Sequence, residues 1–362
     1  MTAARLGAAL GFALLRAALA GAQGSLPAAE LEAMTKAMAA DRGLRAMMSV
    51  YGDAQDQLLA FQAAVGAADE KWKAEEEALR PIEAPESTAG FELLPLVEWF
   101  TDGEGLKGES GVSYLLRTDG ATILFDLGLN RRAEDPSPLL SNMAALGIAV
   151  GDIDTIVISH PHEDHVGGGR WRRGASFSLG ASQLPLDGKR VFTPSPMVYP
   201  GLEPVFSEGP TRIAEGVYSS GVISCPFFFG GAVGEQALFI NLRERGIVIV
   251  TGCGHPTAER LVARARKLFD LPIYAILGGL HLPLTAGRNI EPYYRYYLSG
   301  RLPWEPLVAG DVAALAASLK AGGLKVVGLS GHDSCDESLG LFKKAFGEGY
   351  REIAVGRPIH LP

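Results

Sequence analysis

The sequence predicts a layered α/β (α+β) domain over 91–362, preceded by a helical extension over 23–90. Three observations carry this. Residues 26–80 are rich in Ala, Glu, Lys, Leu and Met, with few glycines and no proline after Pro27, a helical composition. From residue 91 the texture changes to short apolar runs bounded by Gly, Asp and Asn, the pattern of strands that end in tight loops. Those runs come first in pairs and then alternate with helical patterns, an order that lays helices over sheets.

The N-terminus, "MTAARLGAALGFALLRAALAGA", has Arg5, an apolar stretch Leu6–Leu15 and then small residues. "ALA" (18–20) or "AGA" (20–22) would suit a signal peptidase, so 1–22 is read as a signal peptide and the protein as periplasmic or secreted. Arg16 interrupts the apolar run and leaves it too short for a membrane span. An amphipathic N-terminal helix and a cytoplasmic location are the alternative. The three cysteines, Cys225, Cys253 and Cys335, allow at most one disulfide. Two helices are expected over about 29–50 and 53–80, broken at "VYGD", and "PIEAPESTAG" follows as a linker. Nothing in this region suggests chemistry; it is expected to pack on the main domain or on a partner.

In the main domain, "VSYLLRT" and "ATILFDLG" are joined by Asp119-Gly120, a strong hairpin signal. "PSPLLSNMAALGI" reads as a helix and "IDTIVIS" as a strand. Strands follow at "RIAEGVYSSG", "ALFINL" and "GIVIVTG". Then come the helix "TAERLVARARKLF", the strand "IYAILGG", the helix "GDVAALAASLKAGG", the strand "KVVGLSG" and a last helix. The net charge is −8 with no block of Lys or Arg, which excludes nucleic acid and anionic membrane surfaces as expected partners.

The stretch "TIVISHPHEDHVGGG" (155–169) concentrates the chemistry. His160 and His162 leave a strand two residues apart and can face one point; Asp164 and His165 can face a second. Imidazole with carboxylate is the donor set for zinc or another first-row divalent ion. His255, His281 and His332 each follow an apolar strand and a glycine, and strand ends in a layered α/β fold converge on one edge. Six of the seven histidines thus sit at strand ends, and only His360 does not. A single such histidine would be an ordinary loop residue; six together point to a metal site.

"HPHEDH" matches the His-x-His-x-Asp-His signature of the metallo-β-lactamase superfamily. "ILFDLGLN", "GCGHP", "GGLHL", "GHDSC" and "VGRPIHL" further resemble its 7,8-dihydropterin-6-methyl-4-(β-D-ribofuranosyl)-aminobenzene-5′-phosphate synthase-like branch. The resemblance covers 91–362 and implies a four-layer αββα sandwich. It also implies one or two zinc ions, with manganese or iron as substitutes. It would assign His160, His162 and His255 to one metal and Asp164, His165 and His332 to the second. Asp126, in "FDLG", would orient a histidine or the metal-bound water. Where the superfamily commonly has a bridging aspartate, this chain has His281, which would line the site as a substrate ligand or proton donor. "GHDSC" also departs from the branch's usual last motif.

The expected function is a metal-dependent hydrolase whose zinc-bound hydroxide attacks an ester, lactone or phosphoester small-molecule substrate. Asp164 and His281 are the expected catalytic residues. The alternatives are a bond-forming pterin synthase, as the branch implies, and a metal-dependent binding protein without turnover. Glu163 is expected to face solvent. Cys253 and Cys335, beside ligand histidines, are expected to pack or orient rather than ligate. "RNIEPYYRYYLSGRLPW" (288–304) is read either as an aromatic and arginine-bearing lid or as a homodimer contact. "CPFFFGG" (225–231) is read as a buried or hairpin segment.

Overall fold

The computed structural model describes residues 28–361, so the expected signal peptide lies outside the described residues. The chain forms two compact units. One comprises the N-terminal helices through Ala78 with 224–233 and 291–307; the other holds the rest.

In the first unit, α1 (Ala28–Ala40), α2 (Arg42–Tyr51) and α3 (Ala54–Ala78) replace the two expected helices. The extra break falls at Asp41, whose Oδ1 accepts from the amides of Gly43 and Leu44 at 2.9 and 3.1 Å. A carboxylate in this position satisfies the first orphan N–H groups of a new helix. Met34, Leu44, Met48, Leu58 and Phe61 form a core with Phe228, Phe229 and Tyr296, and Tyr297, Leu302 and Trp304 pack against it. The Tyr296 hydroxyl donates to Asp41 at 2.9 Å, and the Tyr51 and Tyr297 hydroxyls are 2.7 Å apart. Tyr296, Tyr297 and Trp304 of 288–304 are therefore committed to the core of this unit rather than to a lid or a dimer contact, while Tyr293 is exposed. The segment's own pattern could not show this, because the surface it fills comes from residues about 250 positions earlier. The phenylalanines of "CPFFFGG" are buried, as expected.

The second unit is a sandwich of two seven-stranded sheets. The first sheet contains β1 (Phe91–Val97), β2 (Ser113–Thr118), β3 (Thr122–Phe125), β4 (Thr155–Val157), β5 (Arg190–Thr193) and β6 (Val205–Phe206) in spatial order. The second contains β7 (Thr211–Ala214), β8 (Val217–Ser219), β11 (Leu238–Leu242), β12 (Gly246–Thr251), β13 (Ile273–Gly278), β14 (Val326–Leu329) and β15 (Tyr350–Glu352). β16 (Ile359–Leu361) returns to the edge of the first sheet beside β1. Between β8 and β11, β9 (Ile223–Phe227) and β10 (Gly231–Glu235) make a separate ribbon.

Strands β3 to β6 run parallel, as do β12 to β15, and the hairpin β2–β3 turns at Asp119-Gly120. Alternation along the strands sorts the core. Leu93, Tyr114, Leu116, Ile123 and Phe125 join Leu238, Ile240, Val248, Val250, Ala275 and Leu277 from the facing sheet. Their sequence neighbours Leu94, Leu115, Leu124 and Ile156 point the other way, against Leu139 and Met143. Those two residues lie on α4 (Pro138–Ala145), which Ser137 caps by accepting from the Leu140 amide at 3.1 Å. After the short α5 (Gly169–Arg173), α6 (Ala258–Leu268), α7 (Ala309–Ala321) and α8 (Asp336–Phe346) cover the second sheet, through α6 on β13 and α8 on β14. The layers are αββα, as the resemblance implied. Each fully buried large aliphatic contributes about 1.5–3 kcal/mol, so the inter-sheet core holds the strand ends that carry the histidines in fixed positions. No described helix is long and apolar enough to cross a membrane.

Candidate metal centre

Four strand ends of the second unit deliver the polar cluster. His160, His162, Asp164 and His165 follow β4, Cys253 and His255 follow β12, His281 follows β13, and His332 follows β14. All except His162, Asp164 and His281 are buried. The six residues assigned to metal from sequence fall into two groups in space. His162 Nδ1 lies 3.0 Å from His160 Nε2 and 3.4 Å from His255 Nε2. On the other side, His165 Nε2 lies 3.6 Å from Asp164 Oδ2, and the His165 and His332 rings are 5.4 Å apart between centroids. Donor atoms of Asp164, His165, Cys253 and His332 lie within 4.8 Å of one another, as do those of His160, Cys253 and His255. Donors of one tetrahedral zinc are separated by roughly 3–4 Å. The chemistry and the spacing therefore fit divalent first-row ions.

Two relays aim the imidazoles. Asp126, strained at a φ of 63°, accepts from the Ser159 amide at 2.7 Å and the Ser159 hydroxyl at 2.6 Å. It also accepts from His165 Nδ1 at 2.7 Å, while Ser159 Oγ is 2.9 Å from His160 Nδ1. With the serine hydrogen given to the carboxylate, Oγ accepts from His160 and turns Nε2 toward the donor group. Gly252 makes room: a Cβ there would lie 2.2 Å from Ser159 Oγ.

Glu98 repeats the device across the sandwich. It accepts from the Trp99 and Gly331 amides at 2.8 and 3.1 Å, from the Tyr114 hydroxyl at 3.0 Å, and from the Ser330 hydroxyl. Ser330 Oγ is 2.6 Å from His332 Nδ1.

Burial keeps the site histidines neutral. It pushes His162 and His332 down to about 3, and neighbouring imidazoles add to the effect on His160 and His255. His165 differs: burial disfavours its charge, but its electrostatic coupling to Cys253, Asp164 and Asp126, with the Asp126 hydrogen bond, outweighs this and raises its pKa.

His281 belongs to the same cluster: its ring is 4.8 Å from that of His255, and a ring nitrogen lies within 4.8 Å of donor atoms of Cys253 and Asp333. Its φ is 50°, and its backbone amide donates to Asp333 Oδ2 at 2.8 Å. The position between the two donor groups is filled by Cys253 instead.

Sequence reasoning did not single out Glu98, Glu235, Ser159, Ser330 or Asp333. A signal existed for the serines, since Ser159-His160 and Ser330-Gly331-His332 share a pattern. Glu98 was marked by standing at the end of the apolar run "LLPLV". Glu235 accepts from the amides of Gly254 and His255 at 2.8 and 2.9 Å and so fixes the loop bearing His255.

Burial pushes the Glu235 carboxyl from its ordinary 4.5 up to about 7. Because the folded value is the higher one, its contribution is full below the unfolded pKa and is lost as pH rises from 4.5 toward 7. The slope is about 1.4 kcal/mol per pH unit at most. In chelated protein, the stability of Glu235→Gln relative to wild type should therefore improve across this range, as read from denaturant midpoints. A difference independent of pH would contradict the shift.

The model of the metallo-beta-lactamase superfamily matches residues 106–175. A curated relative, the 7,8-dihydropterin-6-methyl-4-(beta-D-ribofuranosyl)-aminobenzene-5′-phosphate synthase of Methanocaldococcus jannaschii, is 26% identical over 218 residues. That alignment covers 48% of this chain and 71% of the relative. Among solved structures, a metal-dependent hydrolase of the beta-lactamase superfamily aligns with 18% identity and a TM-score of 0.49, covering 74% of this chain and 98% of that one. The metallo-beta-lactamase fold protein YhfI from Bacillus subtilis aligns with 12% identity and a TM-score of 0.46, covering 75% and 100%. The matched segment contains the His-x-His-x-Asp-His signature, and over residues 106–175 the chain is similar to the metallo-beta-lactamase superfamily.

Proposed function

We propose that the protein is a metal-dependent hydrolase of small esters, lactones or phosphoesters. The observation that carries this is the convergence of His160, His162 and His255, and of Asp164, His165 and His332, on two adjacent points. When bound, zinc or a related ion at such points supplies Lewis acidity, acidifying water and polarising the oxygen under attack. The chain's own residues do the rest.

Asp164 is side-on to the cluster and about one-quarter exposed, so it can take a proton from the attacking water and pass it to the leaving group. His281, beside His255, can donate to a substrate oxygen, with Asp333 holding its backbone in place. Asp126 and Glu98, through their serines, keep the histidine rings oriented through turnover.

A panel of chromogenic phosphodiesters, lactones, thioesters and β-lactams tests this reading. Turnover of at least one class is expected, with a loss of roughly 10³-fold or more in His162→Ala. Equal turnover in that variant would refute the assignment. The similarity to the archaeal synthase favours a second reading, a bond-forming reaction on a pterin substrate. The signal-like residues 1–22 favour the hydrolase, because pterin synthesis belongs in the cytosol. Product formation from a dihydropterin, with no hydrolysis across the panel, would select the second reading.

A further inference from the structure

We infer that Cys253 is a metal ligand and bridges the two metal positions through its thiolate, in the place where a carboxylate would otherwise join them. The inference rests on the cluster being a metal centre, as proposed above.

Sγ of Cys253 is the one donor common to both groups. It lies 3.1 Å from His165 Nε2 and 3.2 Å from His332 Nε2, and within 4.8 Å of the donor nitrogens of His160 and His255. Zinc–sulfur and zinc–nitrogen bonds of about 2.3 and 2.0–2.1 Å in a tetrahedron separate the donors by roughly 3.6 Å. A cation entering between them would need only a few tenths of an ångström of expansion.

A packing cysteine sits among apolar side chains. This one, buried and outside any disulfide, faces imidazole nitrogens instead. The backbone aims it there. Gly252 and Gly254 flank it at the end of β12. The Gly252 carbonyl accepts from the Gly279 amide at 3.0 Å, and a Cβ on Gly254, at a φ of 68°, would lie 2.4 Å from the Gly279 carbonyl oxygen.

Charge points the same way. His160, His162 and His255 are three neutral donors with no carboxylate among them, whereas the second group has Asp164. A shared thiolate gives the first group its only anionic protein ligand. It also biases the choice of metal, because thiolate favours zinc or iron over manganese. His281, beside His255, is then left for substrate.

The test needs no substrate. Metal-free protein, reduced and kept anaerobic, is titrated with cobalt(II). The expected result is an intense near-ultraviolet thiolate-to-cobalt charge-transfer band, kept in Cys335→Ser and His281→Ala and lost in Cys253→Ser and Cys253→Asp. Zinc content should fall from about two equivalents to about one in Cys253→Ser and stay near two in Cys253→Asp, where a carboxylate restores an anionic bridge. Should the variants fold poorly, zinc-edge X-ray absorption of the wild type decides. A bridge gives about one sulfur neighbour per zinc at about 2.3 Å, whereas a terminal thiolate on one ion gives about half that.

Cobalt bound without the band, a band that survives Cys253→Ser, half a sulfur per zinc, or no metal binding at all would overturn the bridge. A band with no turnover on the ester panel would instead leave the bridge standing and refute the hydrolase.

Discussion

Asp164→Asn is expected to lower kcat by roughly 10²–10⁴-fold, the range lost when a positioned proton-transfer group is removed. The substitution keeps volume and one carbonyl-type oxygen, so it separates proton transfer from ligation better than alanine would. Asp164 is held in place by its own backbone, whose carbonyl accepts from the Val112 amide at 3.1 Å. Burial pushes its carboxyl up, but the neighbouring His165, by its charge and its hydrogen bond, holds it well below the usual carboxylate range. It is therefore an anion at working pH, which the amide of asparagine is not. Zinc content measured alongside turnover distinguishes the two roles. A large drop in kcat with metal retained supports proton transfer, whereas a drop that follows metal loss assigns Asp164 to ligation alone. Unchanged kcat with metal retained would remove it from the mechanism.

The residues of the cluster are legible in the sequence because their signal is local. His160, His162, Asp164 and His165 lie within six positions, and each remaining histidine announces itself after an apolar strand and a glycine. The residues that hold them are legible only in three dimensions. Glu98 meets Ser330 and Gly331 across 232 and 233 positions, and no periodicity links them. Cys253 was visible beside His255, but its place between the two groups depends on the turn made by Gly252 and Gly254. The strands behaved likewise. The hairpin at Asp119-Gly120 is written in its turn residues, while the buried runs of β12 and β13 fit any covered strand and gain their partners from parallel pairing. The tyrosines of 288–304 show the same limit. An aromatic-rich loop says that something will be covered, and the helices of the first unit decide what.

Asp126→Asn should weaken metal binding by about 10–100-fold, the usual cost of losing a carboxylate behind a ligand histidine, or about 1.4–2.8 kcal/mol. The backbone should tolerate the change, since asparagine accepts positive φ more readily than most residues and Asp126 sits at 63°. The side chain cannot. Its two oxygens accept three hydrogen bonds, from the Ser159 amide, the Ser159 hydroxyl and His165 Nδ1. An amide offers one oxygen, and its NH₂ would face at least one of these donors, leaving a buried polar group unsatisfied. Because Ser159 also holds His160, the loss reaches both donor groups: His165 of the second directly and His160 of the first through the serine. Competition with a chelator should therefore show both equivalents of zinc weakened together, a result that a general loss of stability would not produce at temperatures where circular dichroism is unchanged. Weakening of one equivalent alone would mean that the serine link to His160 carries no orientation. Two equivalents held at wild-type affinity would reduce Asp126 to a turn residue.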